Sequence, residues 1–341
     1  MTQNQFQGPG GAPSSDGGPA IGIDVGGTKI AAGLVDGGGR VLERTVRLTP
    51  RPAGDPASEE MKAEAVEAAV VAVVQELGAS APDAPVGVGA AGWMDRSGRE
   101  VLFSPHLAWR NEPLQERLES ALGRPVVLTN DADAAAWAEW RFGAARDESH
   151  VVCLTLGTGI GGATIVDGRI QRGRFGVAGE FGHQTIVPGG HRCACGNRGC
   201  WEQYASGNAL GREGRGLVEA GSPVAHALRA AVDDDAALVT GALVTRLAEE
   251  GDPACRDLIE EMGQWLGLGI ANLAAVLDPG VFVIGGGLGS ASTALLETAE
   301  RSYRRSLSGR GYRPFARVAQ AELGADAGLI GAADLARARR T

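Results

Sequence analysis

A chain of 341 residues, 44% of them hydrophobic, is long enough for two domains and a large buried core. Its net charge of −9 gives no general electrostatic reason to bind nucleic acid or an anionic membrane, and no run of apolar residues reaches spanning length. Residues 1–19 are rich in Gly, Pro, Gln and Ser, with no basic residue and no apolar stretch, and read as a disordered tail, neither signal peptide nor helix. Five cysteines without a paired framework point to a reducing compartment, hence the cytoplasm.

The first predicted elements are a strand over 21–25, the turn Gly26-Gly27-Thr28-Lys29, a strand over 30–35, the turn Asp36-Gly37-Gly38-Gly39 and a third strand over 41–48. Asp24 puts a charge on the first of these strands, where burial is costly unless the carboxylate is paired or faces a metal. It is assigned to a Mg²⁺–phosphate site, acting through the ion's waters; the alternative is that it only binds turn amides. A helix over 56–77 follows, with Val66, Val70, Val73 and Leu77 on one face and Gly78 as its stop. A strand over 85–90 leads to the Gly92-Trp93-Met94-Asp95 turn. A helix over 113–122 and a short buried strand over 126–129 come next.

That strand delivers Asn130-Asp131-Ala132-Asp133 to its C-terminal edge, where ligands gather in open α/β sheets, just before a helix over 134–142. Asn and Asp are favoured helix caps, yet a carboxylate there can also take a proton from a hydroxyl. Asp133 is expected to be the cap and Asp131 the base.

The opening layout returns 131 residues later, Gly26 falling on Gly157 and Leu34-Val35-Asp36-Gly37 on Ile165-Val166-Asp167-Gly168. A strand over 152–156, the turn from Gly157 through Thr158 and Gly159 to Gly162, and a strand over 163–166 make up the second copy. Two domains of similar topology follow. The expected boundaries are 20–129, completed by the C-terminal helix over 325–340, and 130–324. Each domain carries a glycine turn whose free N–H groups suit phosphate.

Residues 180–202 hold three of the five cysteines, two of the five histidines and two carboxylates. Cys193, Cys195 and Cys200 are spaced C-x-C-x4-C, and one histidine would complete a tetrahedral Cys3His zinc site. Both His191 and His183 are available. The Pro-Gly-Gly turn can swing His183 back, and it is preferred because Glu-Phe-Gly-His reads as part of a second function; reduced thiols packed in a core are the alternative. Helices follow over 203–216, 241–250 and 253–277, then a strand over 281–284. Gly285-Gly286-Gly287 stands at its end, where bare backbone admits a flat ring. A helix over 295–307, a strand over 316–319 and a helix over 325–339 close the chain.

Asp24-Val-Gly-Gly-Thr-Lys29, Leu156-Gly-Thr-Gly-Ile-Gly-Gly162, Gly179-Glu-Phe-Gly-His183 and Cys193-Ala-Cys-Gly-Asn-Arg-Gly-Cys-Trp-Glu202 together resemble the sugar kinases of the ROK family, above all the glucokinases of high-GC bacteria. The resemblance covers about residues 20–339. It implies an α/β fold of two actin/hexokinase-like (ribonuclease H-like) domains around a cleft, agreeing with the internal echo. It also implies transfer of the γ-phosphate of MgATP to the 6-hydroxyl of a hexose, glucose first, with Asp131 as general base.

The same resemblance assigns the other roles. Asn130, Glu180, His183 and Glu202 would hydrogen-bond the sugar, with the Gly92 turn and Asn111. His183, Cys193, Cys195 and Cys200 would hold a structural Zn²⁺, and Asp24, Gly26, Gly27, Thr28 and Lys29 would serve the phosphates with Gly157, Thr158 and Gly159. Gly285, Gly286 and Gly287 would form the adenosine loop. Phosphoryl transfer asks mostly for positioning, charge stabilisation and one base, which this inventory supplies. The expected partners are sugar and ATP, with no nucleic acid and no membrane, in a homodimer or homotetramer. Asp133 is a departure, since asparagine is expected there in many relatives. Another hexose or N-acetylhexosamine as acceptor, or polyphosphate as donor, is the runner-up. A sugar-responsive transcriptional regulator of the family is less favoured, because the Gly/Pro-rich stretch before the first strand is too short for a helix-turn-helix.

Overall fold

The protein is represented by a computed structural model that describes residues 17–50, 59–104, 107–289 and 292–339. Most of the tail expected over 1–19, and the start of the helix expected from Pro56, lie outside the described residues.

The chain opens with β1 (Ala20–Val25), β2 (Lys29–Val35), β3 (Val41–Leu48), α1 (Glu59–Gly78) and β4 (Val86–Ala90). β5 (Trp93–Met94), β6 (Val101–Phe103) and β7 (Arg110–Glu112) form a small separate sheet before α2 (Leu114–Leu122), β8 (Val126–Asn130) and α3 (Asp131–Phe142). β9 (His150–Leu156), β10 (Ile160–Val166) and β11 (Arg169–Ile170) precede the metal-ligand loop. After it come α4 (Gly207–Glu219), α5 (His226–Ala231), α6 (Gly241–Glu250), α7 (Pro253–Leu277), β12 (Val281–Gly285), the single turn α8 (Gly286–Gly289), α9 (Thr293–Ser306), β13 (Arg317–Gln320) and α10 (Ala327–Ala338).

Two five-stranded sheets share one plan, as the internal echo requires. The first has the order β3-β2-β1-β4-β8, an antiparallel meander followed by two parallel strands. The second has the order β11-β10-β9-β12-β13, with β12 parallel to both β9 and β13. The α/β class expected from the sequence is therefore the observed one.

The chain divides into two compact units. One takes the described residues up to Ser149 together with 163–179 and those from Ala325 onward; the other takes 150–162 and 180–324. The first unit thus extends past the expected boundary at 129, because α3 packs along α10. Trp137 Nε1 donates to Asp334 Oδ2 at 2.8 Å, Arg141 Nε donates to the same oxygen at 3.0 Å, and Gly331 lets the backbone of Ala134 lie directly on α10. α10 also crosses β1 and β4, where Gly22 and Gly87 leave no side chain in its way. That close packing explains Gly87 inside the apolar strand Val-Gly-Val-Gly-Ala. The second unit is built around α7, whose Ile259, Met262, Leu266 and Ile270 are buried with Phe282 and Ile284 of β12. Among the described residues no helix is long and apolar enough to cross a membrane.

Candidate active site

In the first unit the chemistry collects at the C-terminal ends of β1 and β8. Asp24 lies one residue before the end of β1, paired in register with Gly89 of β4. Its carboxyl is pushed up from 3.8 to about 7, first by burial, then by the negative charge of Asp131, with Lys29 partly opposing. The two carboxylates therefore share one electrostatic environment. The turn after β1 is closed by Gly26 N–H donating to Lys29 O at 3.0 Å. Thr49 braces it, its hydroxyl donating to Gly26 O at 2.6 Å and its N–H to Thr28 O at 3.0 Å.

Asn130 ends β8 in an extended conformation (φ −68°, ψ 148°) and α3 begins at the next residue. Its side-chain oxygen accepts from Asp133 N–H at 3.0 Å, and its amide donates to Gly92 O at 3.0 Å. The cap is thus Asn130, not Asp133 as the sequence suggested. The helix starts three residues earlier than expected because Asn130 already satisfies one of its free N–H groups, that of Asp133. Asp131 is the first helical residue, at the helix's positive end. Asp133 is instead buried in an ion pair with Arg172, Nε to Oδ2 at 2.7 Å. Gly92, at φ 147°, sits where a Cβ would meet Phe103 O at 2.6 Å, so glycine is required for this carbonyl to reach Asn130. Asn111 is exposed on β7 in the left-handed region, φ 49°.

In the second unit the loop from Glu180 to Glu202 folds the predicted ligands together. One ligand atom each from His183, Cys193, Cys195 and Cys200 lies within 4.8 Å of all the others. Cys195 Sγ and Cys200 Sγ are 3.6 Å apart, and Cys193 Sγ is 3.5 Å from His183 Nδ1. Edges of about 3.7 Å are expected of a tetrahedron with Zn–S bonds near 2.3 Å, so this donor set fits zinc in both chemistry and size. His191 is elsewhere, its ring 5.2 Å from that of Tyr204, whose hydroxyl accepts from His191 N–H at 3.0 Å.

Glu202 sits on a short turn, Trp201–Gln203, anchored by Trp201, whose indole is fully buried against Gly269 of α7 and donates to Trp265 O at 2.9 Å. Cys193 donates to Glu202 Oε1 at 3.1 Å, and Glu202 Oε1 lies 3.7 Å from His183 Nδ1. On the other side of the imidazole, Nε2 is 3.9 Å from Glu180 Oε2. Glu202 also reaches the second glycine turn, since a Cβ on Gly159 would meet its Oε2 at 2.5 Å.

That turn is pinned by α4. Gly207 N–H donates to Gly157 O at 2.8 Å and Asn208 N–H to Thr158 O at 3.3 Å, while Ser206 caps the helix by accepting from Ala209 N–H. Gly157 and Thr158 open onto a cavity of about 430 Å³, shared with Asn208 of α4, Thr245 of α6, and Gly287 and Leu288 of α8. The triple glycine is the junction of β12 and α8: Gly285 ends the strand, and Gly286, at φ 82°, lets its backbone lie on that of Leu156. The sequence had not singled out Asn208, Thr245 or Leu288. Only Ser206-Gly-Asn208, a capping serine before a helix, could have marked the first.

The ROK family model matches residues 20–339, and the chain belongs to that family. It is 45% identical over 320 residues to the glucokinase of Streptomyces coelicolor, covering 94% of this chain and 98% of the relative. It is 33% identical over 325 residues to the N-acetylmannosamine kinase of Salmonella typhi, covering 93% and 98%. Among solved structures, the ROK family glucokinase of Streptomyces griseus in complex with glucose and AMPPNP superimposes with a TM-score of 0.83 at 44% identity, covering 94% of this chain and 99% of that one.

Proposed function

We propose that this chain is an ATP-dependent glucokinase that transfers the γ-phosphoryl group of MgATP to the 6-hydroxyl of glucose. The observation that carries the reading is the end of β8, where Asn130 is fixed by two hydrogen bonds and Asp131 follows it beside Asp24. The near full-length likeness to Streptomyces glucokinases supports glucose as acceptor and a nucleoside triphosphate as donor.

Asp131 accepts the hydroxyl proton as the oxygen attacks phosphorus, and Asn130 orients the sugar. A positioned base of this kind contributes about 10²–10⁴-fold. Asp24 suits the water shell of Mg²⁺: a carboxylate whose proton affinity is raised by burial and by the neighbouring Asp131 charge gains from a hard cation. The ion, when bound, neutralises charge on the β- and γ-phosphates. The turns at Gly26 to Lys29 and Gly157 to Gly159 present backbone donors to phosphate oxygens, and the cavity of Asn208, Thr245 and Leu288 beside Gly285 to Gly287 takes the nucleoside.

Glu180, His183 and Glu202 bind sugar hydroxyls in the second unit. His183, Cys193, Cys195 and Cys200 hold a structural Zn²⁺, with Nδ1 of His183 turned to the thiols and Nε2 left for sugar. A thiolate on a metal has no proton to give, so Glu202 Oε1, which accepts from Cys193 in the free thiol, is then available to the substrate. Gly92 and Asn111 complete the sugar contacts. The protein works in the cytoplasm, where cysteines outside disulfides persist, as a homodimer or homotetramer acting on sugar and ATP.

Product formation from MgATP with glucose, fructose, mannose, N-acetylglucosamine and N-acetylmannosamine in parallel, and with polyphosphate as second donor, tests the reading. Glucose is expected to give the highest kcat/KM. A preference for N-acetylmannosamine is the second reading, favoured by the 33% identity to that kinase. No transfer to any sugar by folded, zinc-loaded protein would refute both.

A further inference from the structure

We propose that Arg172 is a positioning residue for phosphoryl transfer: with Thr129 and Asp133 it forms a clamp across the three residues between them, two of which are Asn130 and Asp131. The inference rests on the roles given above to that pair.

Arg172 follows β11, and the preceding residue is held by Gln171 N–H donating to Thr164 O at 2.8 Å. From there the guanidinium reaches the β8–α3 junction. Its Nε donates to Asp133 Oδ2 at 2.7 Å and its Nη2 to Thr129 Oγ1 at 2.7 Å. All three groups are withdrawn from solvent, the Arg172 and Asp133 side chains being 10% and 8% exposed and Thr129 1%. One rigid, planar cation thus ties the end of an extended strand to the first turn of a helix. Between its two anchor points the backbone changes from extended to helical. That change sets both the side-chain direction of Asn130 and the place of Asp131.

Stability alone does not account for the arrangement. A buried ion pair is on balance no better than an apolar pair of similar volume, because desolvation offsets the Coulombic attraction. Its distinguishing property is direction, since a fork with two fixed donors permits one register of Thr129 relative to Asp133. The Asn130 cap holds Asp133 N–H from one side, and Arg172 holds the Asp133 carboxylate from the other. Displacement of a catalytic group by about 1 Å can cost on the order of 10² in rate, so a junction carrying the base is where such a constraint has kinetic value.

The test replaces the pair by apolar side chains of similar size, Asp133→Leu with Arg172→Met, alongside Thr129→Val and Asp131→Asn. The double variant is expected to melt within a few degrees of the parent. Its kcat should fall on the order of 10²-fold, while KM for ATP changes less than about threefold. Thr129→Val, which keeps the ion pair and removes one arm, should lose roughly tenfold in kcat without loss of stability, and Arg172→Lys should fall between it and the double variant. A double variant that melts and turns over like the parent overturns the clamp. Should that variant not fold, parental kcat in Thr129→Val overturns it instead. Asp131→Asn separates the two ideas. If it is inactive while the clamp variants are unimpaired, the clamp alone fails; if it turns over normally, the base assignment fails and the clamp with it.

Discussion

Asp24→Asn tests whether the first glycine turn is built for a cation at the expense of the protein that carries it. Raising this carboxyl from 3.8 to about 7 corresponds to about 4 kcal/mol between its two protonation states, at ~1.4 kcal/mol per pH unit. The raised value favours the protonated form. The contribution to folding is therefore complete below the unfolded value of 3.8 and is lost as pH rises through about 7. At pH 8 the ionised Asp24 opposes folding by up to that amount, and the asparagine variant is free of it. In magnesium-free buffer the variant should melt roughly 5–15 °C above the parent at pH 8, at about 2–4 °C per kcal/mol for a unit of this size. At pH 5 the gap should shrink to less than half. Mg²⁺ should stabilise the parent and leave the variant unchanged, and turnover of the variant should drop at least 100-fold, as expected when charge stabilisation of the transferring group is lost. A variant that melts at or below the parent at pH 8, or by the same margin at both pH values, would refute the electrostatic account.

Chelation followed by dialysis should remove one zinc per chain, raise KM for glucose more than KM for ATP and lower the Tm; metal analysis finding far less than one zinc in purified protein would contradict the four-ligand site. Gly92→Ala forces a Cβ against Phe103 O at a φ of 147° and should cost roughly 1–3 kcal/mol, with a higher KM for glucose because the Gly92 carbonyl aligns Asn130; denaturation and kinetics read the two effects. Gly286→Ala pushes α8 away from Leu156 and should raise KM for ATP several-fold with little change in KM for glucose, whereas equal rises would argue against a nucleoside subsite there.

The parts of the molecule that could be read from sequence were those where local chemistry leaves few choices. Asp24 to Lys29 and its echo at Thr155 to Ile160 specify a strand, a tight turn and a strand, and the two sheets follow from that repetition. The thiol spacing forces a compact loop and brought Cys193, Cys195 and Cys200 together. The choice between His183 and His191 depended on packing: Tyr204, thirteen residues beyond His191, occupies that ring and its backbone. The small sheet β5-β6-β7 has strands of two and three residues, too short for an alternating pattern to show. Arg172 and Asp133 meet across 39 residues, and nothing local to either marks the partner. The start of α3 was misplaced because a run of Asn and Asp offers several possible caps, and the Gly92 carbonyl selects the first.

The two copies of the hairpin differ where their chemistry would have to differ. Asp24 and Thr155 occupy the same position in the repeat, and each is paired in register with a glycine of the neighbouring parallel strand, Gly89 or Gly285. Both positions therefore have room for a polar side chain at the edge of a phosphate-sized turn. In the first copy the side chain is a carboxylate, tolerable beside phosphate only with a cation between them, and burial together with the Asp131 charge raises its proton affinity. In the second copy a neutral hydroxyl stands beside Gly157 and Thr158. A carboxylate there would repel the phosphates held by the turn's N–H groups. One substitution at equivalent strand positions thus separates a cation-dependent phosphate turn from one that relies on backbone donors alone. Thr155→Asp should accordingly raise KM for ATP by roughly tenfold or more at low Mg²⁺, with partial recovery as Mg²⁺ is increased. A variant whose KM for ATP is unchanged at low Mg²⁺ would remove the distinction.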